Sequence, residues 1–184
     1  LIHPNKPGKN ANITIAIEEG RLFRLNEMKF VGVKLFRTPE VIFPRAFGMQ
    51  KGDVFSTSKL RKGFEDLRKL YGNYGYIDFV SESDIEPVPG TDKVDLTLNI
   101  DEGKQFFVNR LTFVGNPNTH DAVIRREMRV YEGSVFNSEA LKDSVRRLNQ
   151  LGYFKPIEEG KQDDVDVEPT PGTDNKVDIT LKLK

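Results

Sequence analysis

The sequence contains no cysteine and only two histidines. The first absence excludes a disulfide framework and a zinc–thiolate site, and leaves the redox compartment unread. The second leaves His3 and His120 as the whole supply of imidazole, in distant stretches of loop-like sequence. No motif pairs them as metal ligands or gives a serine nucleophile its base. Charge of one sign is not in excess either: 28 Lys+Arg stand against 28 Asp+Glu. Nucleic-acid binders usually show a basic surplus, so composition argues against that class. Nor is there an apolar run near the roughly 20 residues that span a bilayer as a helix. No signal peptide opens the chain at Leu1, and the expectation is a piece excised from something longer.

What is present is a repeat. PGTDKVDLTLNIDEG begins at Pro89, and PGTDNKVDITLKLK begins at Pro171. Outward from these, Ile100 to Gly115 matches Ile17 to Gly32 at an offset of 83, and GSVFNSEAL at Gly133 matches GDVFSTSKL at Gly52 at 81. LGYF at Leu151 matches YGYI at Tyr74 at 77, so the first copy carries about one more helical turn. A fixed period marks a stacked structural unit. The expected division is a strand remnant over 1–20, one copy over 21–103 and a second over 104–184.

Each copy reads as strand, helix, helix, strand, strand. Met28 and Phe30, or Leu111 and Phe113, alternate onto one face of the first strand. Phe23 and Leu25, or Phe106 and Val108, are out of phase with them, which predicts a bulge near Asn26 and Asn109. Thr38-Pro39-Glu40 opens a short helix that Pro44 should truncate or kink. Its counterpart AVIRREM, Ala122 to Met128, is the better helix former. Ser56 and Asn137 cap the second helix, and Gly72 and Gly152 suit its end. Leu60, Phe64, Leu67 and Tyr71 form one apolar stripe; Leu141, Val145 and Leu148 form the other. In the last strand Val94, Leu96, Leu98 and Ile100 alternate with polar residues, as do Val177, Ile179, Leu181 and Leu183. One dry and one wet face predict an α+β fold: a three-stranded mixed sheet with two helices on one side.

The middle strand carries Glu82, Asp84 and Glu86 on one face, and Asp164, Asp166 and Glu168 repeat the pattern. Short charged strands protect sheet edges, so this strand belongs at the edge. These acids lack the glycine-turned loop of a calcium site. Their recurrence in both copies favours structure over chemistry, and the residues point away from an enzyme and from any cofactor. An RNA-binding KH-like module remains as the reading from another class; its Gly-x-x-Gly loop is not matched by Gly48 and Gly52, nor by Gly133.

The succession EG, FVG, a short helix, G-x-x-F, a helix, G-Y and an alternating last strand resembles the polypeptide-transport-associated (POTRA) repeat. In the second copy FVGN at Phe113, DAVIRREMRVYEG at Asp121 and LNQLGYF at Leu148 are similar to the membrane-proximal repeat of the BamA family of outer-membrane protein assembly factors. The resemblance implies a periplasmic location, anchored to the outer membrane through a C-terminal membrane barrel beyond this chain. As partners it implies unfolded outer-membrane proteins and accessory lipoproteins such as BamD. On the family's pattern, Arg125 and Glu132 would meet the lipoprotein; read without it, they are solvated helix-end charges. POTRA repeats also occur in two-partner secretion pores and in TamA-type transporters, which stand as alternatives. An exposed edge strand can pair with an extended client through main-chain hydrogen bonds. That expectation falls on Asp78, Val80, Glu82 and Asp84, within 78–86, and on Val165 and Val167, within 163–168. Alternatively, the corner Asp101-Glu102-Gly103 is short enough to fix one repeat against the next as a positioning arm.

Overall fold

The alternation at 94, 96, 98 and 100 builds the centre of one sheet, and the alternation at 177, 179, 181 and 183 the centre of another. All eight apolar residues are buried. A computed structural model describes residues 2–5, 10–13, 21–116, 119–157 and 164–184. Strands β1 (Ile2–Asn5) and β2 (Asn10–Ile13) pair antiparallel as a two-stranded sheet. The remainder of the expected strand remnant, 1, 6–9 and 14–20, lies outside the described residues.

The first repeat runs β3 (Arg24–Val31), α1 (Pro39–Phe47), α2 (Thr57–Asn73), β4 (Val80–Pro87) and β5 (Lys93–Asp101). The second runs β6 (Phe107–Val114), α3 (Asp121–Glu127), α4 (Ser138–Leu151), β7 (Val165–Pro169) and β8 (Lys176–Lys182). Each sheet has three strands, in the orders β3-β5-β4 and β6-β8-β7. The first and last strands of a repeat pair parallel and the hairpin pairs antiparallel, so both sheets are mixed. The hairpin strands β4 and β7 lie at an edge, as their acids predict.

The phase slip in the first strands is a bulge. Pairing shifts between Leu25 and Glu27, and again between Val108 and Arg110, with Asn26 and Asn109 as the extra residues. Each asparagine donates from Nδ2 to an aspartate of the central strand, Asp95 or Asp178, at 2.7 Å. The bulge lets Leu25 and Val108 reach the core despite their parity. Gly32 and Gly115 then turn the chain with φ +87°. A Cβ at either position would collide with the carbonyl oxygen of Ile100 or Leu183, so these turns require glycine.

Three helix expectations need correcting. Pro44 does not truncate α1, which runs nine residues through it. Proline removes a single ladder bond there, and Phe43 and Phe47, both buried, hold the helix down. The expected better helix, α3, is the shorter at seven residues. Nor does Gly72 end α2: the helix continues to Asn73, and Gly75 takes the positive φ of +86°. Ser56 and Asn137 do cap α2 and α4, accepting from Lys59 and Ala140, and Gly152 closes α4 in the left-handed region. The helix stripes meet the sheets as two cores. Phe43, Tyr71 and Leu98 belong to one; Phe113, Leu148 and Ile179 belong to the other.

Candidate functional site

Helix α3 is anchored through buried Ile124, with Met128 buried just beyond it. That leaves Arg125 over strand β6. Glu132 stands before Gly133, whose φ of +81° turns the chain back past the same strand. The two side chains meet at 3.5 Å, each nearly half exposed. An exposed ion pair of this kind contributes little by itself. Its geometry shows a larger role. Glu132 Oε1 accepts from the Leu111 N–H at 2.9 Å, and Arg125 Nη2 donates to the Leu111 carbonyl at 2.9 Å. The guanidinium also lies 5.3 Å from the centre of the Phe113 ring. The pair therefore clamps one peptide of an edge strand.

A second candidate surface is the opposite edge. The hairpin closes with Val88 N–H donating to Lys93 O. In an antiparallel ladder alternate residues face the partner. With Glu86 opposite Asp95, Asp84 opposite Thr97 and Glu82 opposite Asn99, the even-numbered residues of β4 point their peptides at β5. Ser81, Ser83 and Ile85 point theirs outward, and Pro87, without an N–H, also falls on the outward side. The same reasoning from Thr170 N–H to Lys176 O turns the peptides of Val165 and Val167 outward in β7.

The residues expected from sequence are thus distributed unevenly. Arg125 and Glu132 come together. Asp78 stands in a turn before β4 and not in the strand. Val80, Glu82 and Asp84 lie in β4, with exposed side chains but with peptides committed to β5. Val165 and Val167 lie in β7, half-buried against the second core. Position 163 falls outside the described residues. His120 is exposed at the start of α3. No group of His, Asp and Glu able to hold a metal occurs among the described residues, and no helix there is long and apolar enough to cross a membrane.

Sequence reasoning missed the joint between the repeats. Glu102 is 6% exposed, and its Oε1 accepts from the N–H groups of Lys34 and Leu35 and from the Tyr71 hydroxyl, at 2.8–2.9 Å. Burial pushes the Tyr71 phenol well above its ordinary range, and the hydrogen bond to Glu102 pushes it further. The recurring EG of Glu19-Gly20 and Glu102-Gly103 was the available signal. Across the joint, Asn73 Oδ1 accepts from Ser138 Oγ at 3.1 Å and from Glu139 N–H at 3.2 Å. Phe106 N–H donates to Gly75 O at 2.8 Å, and Gln105 Nε2 to Tyr74 O at 2.9 Å.

Comparison with known proteins agrees with this architecture. A POTRA family model, described as a surface antigen variable number repeat, matches residues 23–103 and again 106–184. The outer membrane protein assembly factor BamA of Neisseria meningitidis is 28% identical over 184 residues, covering 99% of this chain and 22% of that protein. The BamA of Buchnera aphidicola is 26% identical, covering 96% of this chain and 27% of that protein. The chain therefore spans about a quarter of the length of these relatives. The crystal structure of POTRA3–5 of Haemophilus influenzae BamA superposes with a TM-score of 0.76 at 25% identity, covering 100% of this chain and 69% of that one. Two successive matches, each spanning one β-α-α-β-β unit, place this chain in the POTRA family.

Proposed function

We propose that this chain is the periplasmic POTRA region of an outer-membrane protein assembly factor, acting by binding and positioning and not by catalysis. On this reading residues 1–20 end a preceding repeat, 21–103 and 104–184 are the last two repeats, and a membrane barrel follows. Unfolded outer-membrane proteins add as strands along the free edge of β4 and, over a shorter stretch, of β7. An accessory lipoprotein such as BamD docks at Arg125 and Glu132. The observation that carries the client role is the β4 edge. It is eight residues long, among the described residues it pairs only with β5, and it directs the peptides of Ser81, Ser83 and Ile85 outward. Main-chain pairing is largely indifferent to client sequence, which suits a factor serving many substrates.

The test is an amide NMR titration of the chain with an extended outer-membrane-protein peptide, and separately with the lipoprotein. The peptide should shift the amides of Ser81, Ser83 and Ile85. Ser83→Pro, which removes an outward donor and leaves the β5 ladder alone, should weaken binding. A parent-like affinity in that variant refutes strand addition at β4. The lipoprotein should shift signals around Arg125 and Glu132; silence there removes the docking role.

A second reading, the repeats as a positioning arm, is favoured by the joint. Four hydrogen bonds from 73–75 to 105–106 and 138–139 hold the repeats at one mutual orientation. Such an arm would keep accessory proteins at a set distance from the barrel.

A further inference from the structure

The two repeats differ on the sheet edge away from the hairpin. Strands β3 and β6 form that edge. Both begin alike: Leu25 exchanges hydrogen bonds with Asp53 O and Gly52 N–H, and Val108 with Ser134 O and Gly133 N–H. This first stretch is therefore covered in each repeat by its own chain. Beyond the bulge they part. Met28 stands opposite Leu96 in the register in which Leu111 stands opposite Ile179, so both peptides point to the open edge. In the second repeat the Glu132 carboxylate and the Arg125 guanidinium take the acceptor and donor places of a missing strand. In the first repeat Lys51 precedes Gly52 as Glu132 precedes Gly133, and Pro44 follows Phe43 as Arg125 follows Ile124. Lysine has no acceptor and the proline side chain has no donor. Neither outward peptide group of Met28 has a hydrogen-bond partner among the described residues. A groove of about 470 Å³ runs beside it, lined by Met28, Val41, Pro44, Arg45, Met49 and Lys51.

We infer that the β3 edge from Met28 to Val31, with this groove, takes up an extended polypeptide segment as an added strand, and that the Arg125–Glu132 clamp closes the matching edge of β6. The occupant is a strand because a row of outward N–H and C=O groups is satisfied in full by another main chain. The groove wall carries Arg45 and Lys51 as well as Glu27 and Glu40, so it suits a segment of mixed or no charge; β4 offers three acids instead. The inference shares with the proposed function only the idea of strand addition, on a different strand of the sheet.

The test uses the whole chain and a short synthetic peptide of alternating valine and threonine with a lysine at each end, followed by amide NMR and hydrogen exchange. Met28 and Phe30 amides should shift and exchange more slowly, with Leu111 unaffected. Pro44→Arg combined with Lys51→Glu rebuilds the clamp over Met28 and should weaken that response about tenfold. Lys51→Glu alone, on the parent helix, should weaken it less, and it serves if the double variant fails to fold. Arg125→Ala with Glu132→Ala should make the Leu111 amide respond. Ser83→Pro should leave the Met28 response intact, which separates this edge from β4. Shifts confined to β4, or unweakened binding in the clamp-bearing variants, overturn the inference.

Discussion

Phe113 stands where clamp and core meet. Its ring lies under the Arg125 guanidinium and belongs to the cluster that holds Leu141, Val145 and Leu148. Truncation to alanine should cost roughly 3–5 kcal/mol, read as a shift in the urea unfolding midpoint of the second repeat. A loss under ~1 kcal/mol would contradict the core position. Glu102 poses the opposite case, a buried polar group with its partners in place. Glu102→Ala would leave the Tyr71 hydroxyl and two N–H groups unpaired, at a cost of roughly 1–3 kcal/mol in the same assay. Glu102→Gln, which keeps an acceptor, should lose less. These two residues differ in how legible they were. The phase of Phe113 follows from alternation within eight residues of one strand. The role of Glu102 depends on partners 31, 67 and 68 residues away; the recurring EG marks the position, but nothing local names the groups it meets.

Among the elements, β4 shows what a strand pattern can and cannot say. Its acids declared the edge, because an uncovered strand gains from charges that discourage unwanted pairing. Which peptides face outward was not readable from them. That parity is set by where the hairpin closes, at Val88 and Lys93, and it reverses with a one-residue slip. The consequence is measurable: Val80→Pro should break a bond to β5 and lower stability, whereas Ser83→Pro should leave unfolding nearly unchanged. Helix α3 supplies a pH-dependent contact. Glu127 accepts from Arg147 of α4 at 2.7 Å, and that hydrogen bond holds its carboxyl below the ordinary glutamate range. A depressed acid contributes stability above its unfolded pKa and loses it as pH falls through the folded one. The parent should therefore melt above Glu127→Gln at neutral pH, with the gap closing on acidification below the ordinary glutamate range. A gap that persists in acid would mean the carboxylate charge is not what links α3 to α4. Pro44 misled at this scale because its burial partners, Phe43 and Phe47, outweigh a local propensity.

For the whole molecule the question is whether two small cores act as one body. The offset of the repeats and their short corner were plain in the sequence; the joint was not, since Asn73 and Gln105 carry no motif and the recurring G-Y of Gly75 gives no sign of contact with the next repeat. Yet these residues make the hydrogen bonds that cross from one repeat to the other. Gly75 has φ +86°, and a Cβ there would stand 2.9 Å from the Phe106 carbonyl oxygen and 2.8 Å from Val135 Cγ1. Both contacts belong to the second repeat, so a side chain at this position has to push the repeats apart while leaving each core intact. Gly75→Ala should accordingly cost the first repeat about 1–2 kcal/mol through its strained φ, leave the unfolding of the second close to the parent's, and free their relative motion. Residual dipolar couplings read this directly. In the parent, one alignment tensor should fit the amides of β3 to β5 and of β6 to β8 together; in Gly75→Ala the two sheets should need separate tensors of unequal magnitude. Two tensors already in the parent would show that the hydrogen bonds across the joint do not hold, and the arm would then be a flexible tether. One tensor in both proteins would move the restraint to the Asn73 contacts with Ser138 and Glu139, which Asn73→Ala removes.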